Sequence, residues 1–134
     1  MKTKIEQLLE RPEGKQLEFK QDLSSTTKIM RTIIAFANSS GGTIVVGIED
    51  GSKKIVGIEN ILDEEERISN IIADSISSRL VPSVEIMSFE GQDLLLIEVY
   101  ISGLRPHFIF PMPGYSVVVL SEQIMFPARG SFRF

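Results

Sequence analysis

The sequence predicts an α/β fold of the α+β type: a mixed β-sheet of five to six strands with two main helices. Three observations predict it. Residues 17–50 run strand, helix, strand, with Leu17, Glu18, Phe19 and Lys20 alternating, then apolar residues at helical spacing, then an apolar run beyond two glycines. Residues 63–80 repeat Ile68, Ile71, Ile72, Ile76 and Leu80 on a second helical face. Residues 84–89 and 93–101 read as strands joined by a short turn at Glu90, Gly91 and Gln92. At 134 residues the chain is expected to be one domain, 1–134, long enough for its own core.

The elements follow in order. Residues 3–10 predict a short helix with Ile5, Leu8 and Leu9 on one side, ended by Arg11, Pro12, Glu13 and Gly14. In strand 17–22, period two puts Leu17 and Phe19 on one face and Glu18, Lys20 and Asp22 on the other. Ser24, Ser25, Thr26 and Thr27 offer N-caps for helix 26–39, whose apolar face is Ile29, Ile33, Ile34, Phe36 and Ala37. Gly41 and Gly42 supply the backbone freedom a helix exit needs. Strand 43–49 is apolar on both faces, as a covered central strand would be. Gly51, Ser52 and Lys53 turn the chain toward an antiparallel partner at 54–58. Asp63, Glu64, Glu65 and Glu66 place negative charge at the start of the second helix, where it complements the helix dipole. Arg79 falls in its last turn and Pro82 prevents continuation. Farther on, one clear apolar strand stands out, 116–120, among three prolines.

Composition narrows the function. There is no cysteine, which excludes a disulfide framework and thiolate metal ligation. The start MKTKIEQLLE is charged and has no long apolar region, so no signal peptide is expected, and no apolar run approaches the roughly 20 residues of a membrane span. A cytoplasmic protein with no membrane partner is expected. The net charge of −4 argues against an indiscriminate grip on phosphate backbones. Its distribution is uneven: residues 1–31 hold seven Lys or Arg against five Asp or Glu, and the remainder seven against thirteen. A basic surface in the first third, or a mixed solvated one, both fit that balance.

Several residues could carry chemistry. Glu18-Phe19-Lys20 has the Glu-x-Lys form used by many metal-dependent nucleases, in which the strand period puts both polar groups on one face; a solvated strand face is the plainer alternative. Lys15, Lys20, Lys28, Arg31, Lys53, Lys54 and Arg105 are the available phosphate contacts. Against nucleic-acid binding stand the acidic total, the absence of Trp and only two Tyr for stacking. No G-x-x-x-x-G-K-[ST] stretch exists, and Gly41 and Gly42 precede a strand instead of opening a helix, so ATP is not an expected cofactor. His107, the single histidine, reads as a loop residue, and the five Met as filling. Phe108, Phe110 and Phe126 could form a partner surface.

Glu13, Leu17-Glu18-Phe19-Lys20, Ala35-Phe36-Ala37-Asn38, Gly41-Gly42-Thr43, Val46-Gly47-Ile48-Glu49-Asp50-Gly51 and Ile55-Val56-Gly57 occur in this order. Together they resemble the Schlafen AlbA_2 family over about residues 9–105; such domains are also labelled divergent AAA or transcriptional regulator. Residues 106–134 depart from the family's usual basic final strand. The resemblance implies an AlbA_2-like fold and a nucleic-acid (DNA)-binding module of a transcriptional regulator, with a homodimer expected. It also implies an alternative. Some Schlafen proteins are endoribonucleases using two glutamates five apart and a later aspartate, a pattern that Glu13, Glu18 and Asp50 (or Glu49) fit, with Lys20 assisting. Mg²⁺ or Mn²⁺ would then be held by Glu13, Glu18 and Asp50, since hard cations take oxygen ligands. A protein-interaction or dimerisation module is the third class, favoured by the negative charge.

Overall fold

The computed structural model describes residues 2–14, 16–77, 82–101, 108–112, 115–120 and 123–128, with side chains over 2–14, 16–76 and 82–101. The order of elements is α1 (Lys4–Glu10), β1 (Leu17–Lys20), α2 (Thr26–Asn38), β2 (Gly42–Val46), α3 (Ile61–Ser75), β3 (Ile76–Ser77), β4 (Ser83–Phe89), β5 (Gln92–Val99), β6 (Phe108–Met112), β7 (Tyr115–Leu120) and β8 (Gln123–Ala128). The mixed α/β class holds. The strands divide into two four-stranded sheets, β1-β2-β5-β4 and β3-β6-β7-β8, in place of the single sheet of five to six strands read from the sequence.

In the first sheet β1 runs parallel to β2, with α2 as the crossover between them. β5 is antiparallel to β2, and β4 is antiparallel to β5. The β4–β5 turn is Glu90-Gly91, both left-handed at φ 52° and 75°, the two-residue geometry whose twist matches a hairpin. Period two sorts the side chains. Ile44, Val46, Leu95, Ile97 and Val99 face one large core with α2 and α3. Val45, Leu94, Leu96, Leu17 and Phe19 face a smaller core under α1. α1 is held by a reciprocal cap: the Glu6 amide donates to the Thr3 hydroxyl, and the Thr3 amide donates to the Glu6 carboxylate.

Two predicted elements end elsewhere, each for a physical reason. The second helix starts at Ile61, after the left-handed Asn60, and stops at Ser75 rather than continuing through residue 80. Ile76 instead extends and pairs with Ile109 of β6, so a tertiary strand pairing overrides the helical period; residues 78–81, which include Arg79 and Leu80, lie outside the described set. The strand after α2 stops at Val46, because Gly47 turns to φ 109°. The expected partner at 54–58 therefore reduces to one bridge, Ile48 to Ile55, with the Gly47 carbonyl accepting from Val56 and Gly57. β6 and β8 each contain a proline, and register shifts fall at Ile109/Met112 and Val117/Val119. Pro111 lies inside the first irregular stretch and Pro127 on the edge strand β8, the places where a missing N–H is tolerated.

Candidate nucleic-acid interface

β1 is an edge strand, and its alternation divides its polar from its apolar side chains. Leu17 and Phe19 are buried under α1, which sends Glu18 and Lys20 to the α2 side. α2 buries Ile29, Ile33, Ile34, Phe36 and Ala37 against the sheet. Residues three and four apart on its flank then meet β1: Lys28, Arg31 and Thr32 join Lys20 around a cleft of about 190 Å³. Glu18 stands beside this cleft and is held on two sides. Its Oε2 accepts from the Thr32 hydroxyl at 3.0 Å, and its Oε1 lies 3.6 Å from Lys20 Nζ. The Thr32 hydroxyl has the Lys28 carbonyl at 3.1 Å as a second acceptor, the back-bonding open to a threonine inside a helix. Lys28 and Arg31 are exposed and form no ion pair or side-chain hydrogen bond among the described residues. One carboxylate against three cations leaves the cleft a net positive site.

The carboxylates foreseen as a set are only partly brought together. Glu13 and Asp50 meet at the outer edge of β1, where Glu13 Oε1 accepts from the Phe19 amide at 3.2 Å and so satisfies an edge-strand donor. The Glu13 carboxyl is raised above its ordinary value, first by burial of its acid end and then by the hydrogen bond and charge of Asp50; the Phe19 amide opposes the rise, and Glu18 adds a weaker repulsion. Glu18 turns to Thr32 and Lys20. Among the described residues no three His, Cys, Asp or Glu side chains stand together to hold a metal ion, so Glu13, Glu18 and Asp50 do not fit a shared Mg²⁺ or Mn²⁺ as placed here. Five residues of spacing fail to bring Glu13 to Glu18 because Glu13 precedes the strand, where the chain folds back and Gly14 bridges to Leu17.

The predicted phosphate contacts also separate. Lys20, Lys28 and Arg31 come together. Lys53 does not join them: its Nζ donates to the Leu9 and Arg11 carbonyls at 2.7 and 3.0 Å and lies 5.6 Å from the Phe19 ring centre, tying the end of α1 to the turn after β2. Lys54 lies on that same turn. Lys15, Arg105 and His107 lie outside the described residues, as do the side chains of Phe108, Phe110 and Phe126. Sequence reasoning missed Thr32; its signal was a hydroxyl residue four after Lys28 and directly before the apolar run 33–37. Among the described residues no helix is long and apolar enough to cross a membrane.

A small mixed sheet with a crossover helix, carrying a basic cleft between that helix and its edge strand, describes an α/β module suited to an anionic ligand. The profile of one family, Schlafen, AlbA_2, matches residues 13–118, and the chain belongs to that family. A curated relative, the uncharacterized ATP-binding protein UU034 of Ureaplasma parvum serovar 3, is 35% identical over 74 residues. That match covers 54% of this chain and 21% of the relative, so the chain spans about a fifth of that protein's length. Among solved structures, one similar fold is the N-terminal domain of a RecG-related protein, named for an ATP-dependent DNA helicase, from Nitrosomonas europaea. Its TM-score is 0.68 at 21% identity, over 81% of this chain and 80% of that one. Another is the DIP2311 protein of Corynebacterium diphtheriae, with a TM-score of 0.62 at 19% identity, over 92% of this chain and 29% of that one.

Proposed function

We propose that this domain is a nucleic-acid-binding module, a DNA-binding part of a transcriptional regulator, that grips phosphates in the cleft between β1 and α2. The observation that carries the reading is the convergence of Lys20, Lys28 and Arg31 on one cleft, two of them without a partner among the described residues. Arg31 brings a planar fork suited to two phosphate oxygens, and Lys28 a mobile point charge. Glu18, held by Thr32, pairs with Lys20 and offsets part of its charge. The family itself supports the reading, as does a similar fold in a protein named for a DNA helicase.

A second reading, a Mg²⁺- or Mn²⁺-dependent endoribonuclease, is favoured by one observation, the meeting of Glu13 with Asp50. It needs Glu18 to leave Thr32 and Lys20 and join them.

The test of the first reading is anisotropy of labelled duplex DNA and RNA across a salt series, for the protein and for the pair Lys28→Ala with Arg31→Ala. The expected result is affinity that falls with salt, and a double variant at least tenfold weaker with a log–log slope shallower by about 0.9 for each duplex phosphate lost. An unchanged slope in the double variant would refute the assignment.

A further inference from the structure

On the opposite face of the first sheet, α1 is only seven residues long and covers only part of the surface. Beyond it, at the ends of β2 and β5, lies an open cleft of about 400 Å³, lined in part by Arg11, Gln16, Ser40, Thr43, Glu98 and Tyr100. That volume is in the range of small-ligand sites. Strand period places Thr43, which pairs with Glu98, on the same face as Val45 and Leu96; Tyr100 continues that face past the end of β5. Tyr100 is 61% exposed, which leaves an aromatic ring accessible at the cleft.

Charge limits what the cleft can take. Glu98 is already paired, its Oε1 accepting from Lys4 Nζ at 2.6 Å. Arg11 lines the cleft and its guanidinium has no partner among the described residues. Among the described residues the balance is one unpaired cation and one exposed ring. Around them stand the Thr43 hydroxyl and the Gln16 amide, whose Nε2 donates to the Ser40 carbonyl at 3.1 Å and leaves its oxygen as an acceptor. A triphosphate would need more positive charge than one guanidinium. A neutral sugar would leave Arg11 unanswered. A flat base carrying a single phosphate satisfies both groups.

From this placement we infer that the cleft binds one unpaired nucleotide, its base stacked on Tyr100 and its phosphate on Arg11. The site lies on the α1 face and does not depend on Lys28 or Arg31, so it stands or falls separately from the basic cleft. Its ligand chemistry has two sources, a nucleotide within a single strand and a free nucleoside monophosphate.

The experiment is amide-resolved NMR titration of the isotope-labelled chain with AMP, with a short single-stranded oligonucleotide and with a duplex of the same sequence. Shifts at the amides of Gly41, Gly42, Thr43, Val99, Tyr100 and Ile101 are expected with the single strand. Shifts with AMP as well would extend the ligand to the free nucleotide. Tyr100→Ala is expected to weaken single-strand binding about tenfold, in line with about 1–3 kcal/mol per stacked base, whereas Tyr100→Phe keeps it. Arg11→Ala is expected to weaken it severalfold, and Lys28→Ala with Arg31→Ala is expected to leave these shifts in place. Absence of shifts at these amides with both AMP and the single strand, or equal binding by Tyr100→Ala and the unaltered chain, would overturn the inference.

Discussion

The two faces of the β1-β2-β5-β4 sheet are covered to different depths. Among the described residues, sixteen buried ones are packed into one cluster on the α2 and α3 face, and eight into the cluster on the α1 face. The deeper cover seats α2 on the sheet and brings Lys28, Arg31 and Thr32 on its flank to the cleft beside Lys20. The shallower cover leaves the Glu13–Asp50 pair at the sheet edge and the Tyr100 cleft open at the sheet end. Polar chemistry in this domain therefore gathers where a packed helix stops or turns its flank to solvent.

The largest test of that difference is in the cores. Ile33→Ala, at a site with no exposure, is expected to cost toward the upper end of about 2–5 kcal/mol, and Leu8→Ala in the short α1 toward the lower end. Denaturant titration compares them; equal losses would remove the asymmetry. Next comes Gly41, at φ 78°, where an added Cβ would lie 2.8 Å from the Val99 carbonyl. Gly41→Val is expected to cost about 1–3 kcal/mol through left-handed strain and that clash, read as a lowered melting temperature. Smaller is Thr32→Val. Losing the hydroxyl frees Glu18 to pair more closely with Lys20, and nucleic-acid affinity is expected to fall about twofold to fivefold, a modest loss because Thr32 acts on Lys20 only through Glu18. A gain in affinity would show that Thr32 does not position this pair.

The smallest effect concerns pH. Because folding raises the Glu13 carboxyl above its unfolded value, its contribution is fully present below the unfolded value and is lost as pH rises through the folded one. Asp50→Asn removes a like charge while burial remains. The variant is expected to melt slightly higher than the unaltered chain at neutral pH, and the gap to close on acidification below the ordinary carboxylate range. A gap that widens on acidification would contradict the cause assigned to Glu13.

Local pattern made much of this domain legible. The alternation of residues 17–20 correctly divided Leu17 and Phe19 from Glu18 and Lys20, and the apolar spacing of 29–37 gave the buried face of α2. Gly41 has the positive φ its place after a helix required. Lys20, Lys28 and Arg31 were readable as candidates, although their meeting depended on the pairing of β1 beside β2. What local pattern could not show was competition from distant parts of the chain. Ile76 fits a helical period, yet a strand from residues 108–112 draws it into a sheet. Lys53 looks like a free surface cation, yet two carbonyls at the end of α1 take its ammonium. Glu13 and Glu18 are five apart, yet a fold-back before β1 sends one to the edge and the other to the α2 face.

The most direct measurement mixes labelled RNA and duplex DNA with the protein, with and without Mn²⁺, and follows both binding and strand cleavage. The unaltered chain, Lys28→Ala with Arg31→Ala, and Glu13→Gln would be compared. Salt-sensitive binding with intact strands is expected, lost in the Lys28 and Arg31 variant and retained in Glu13→Gln. Cleavage that requires Mn²⁺ and disappears in Glu13→Gln would contradict that, and would place the function at the sheet edge instead of the α2 face.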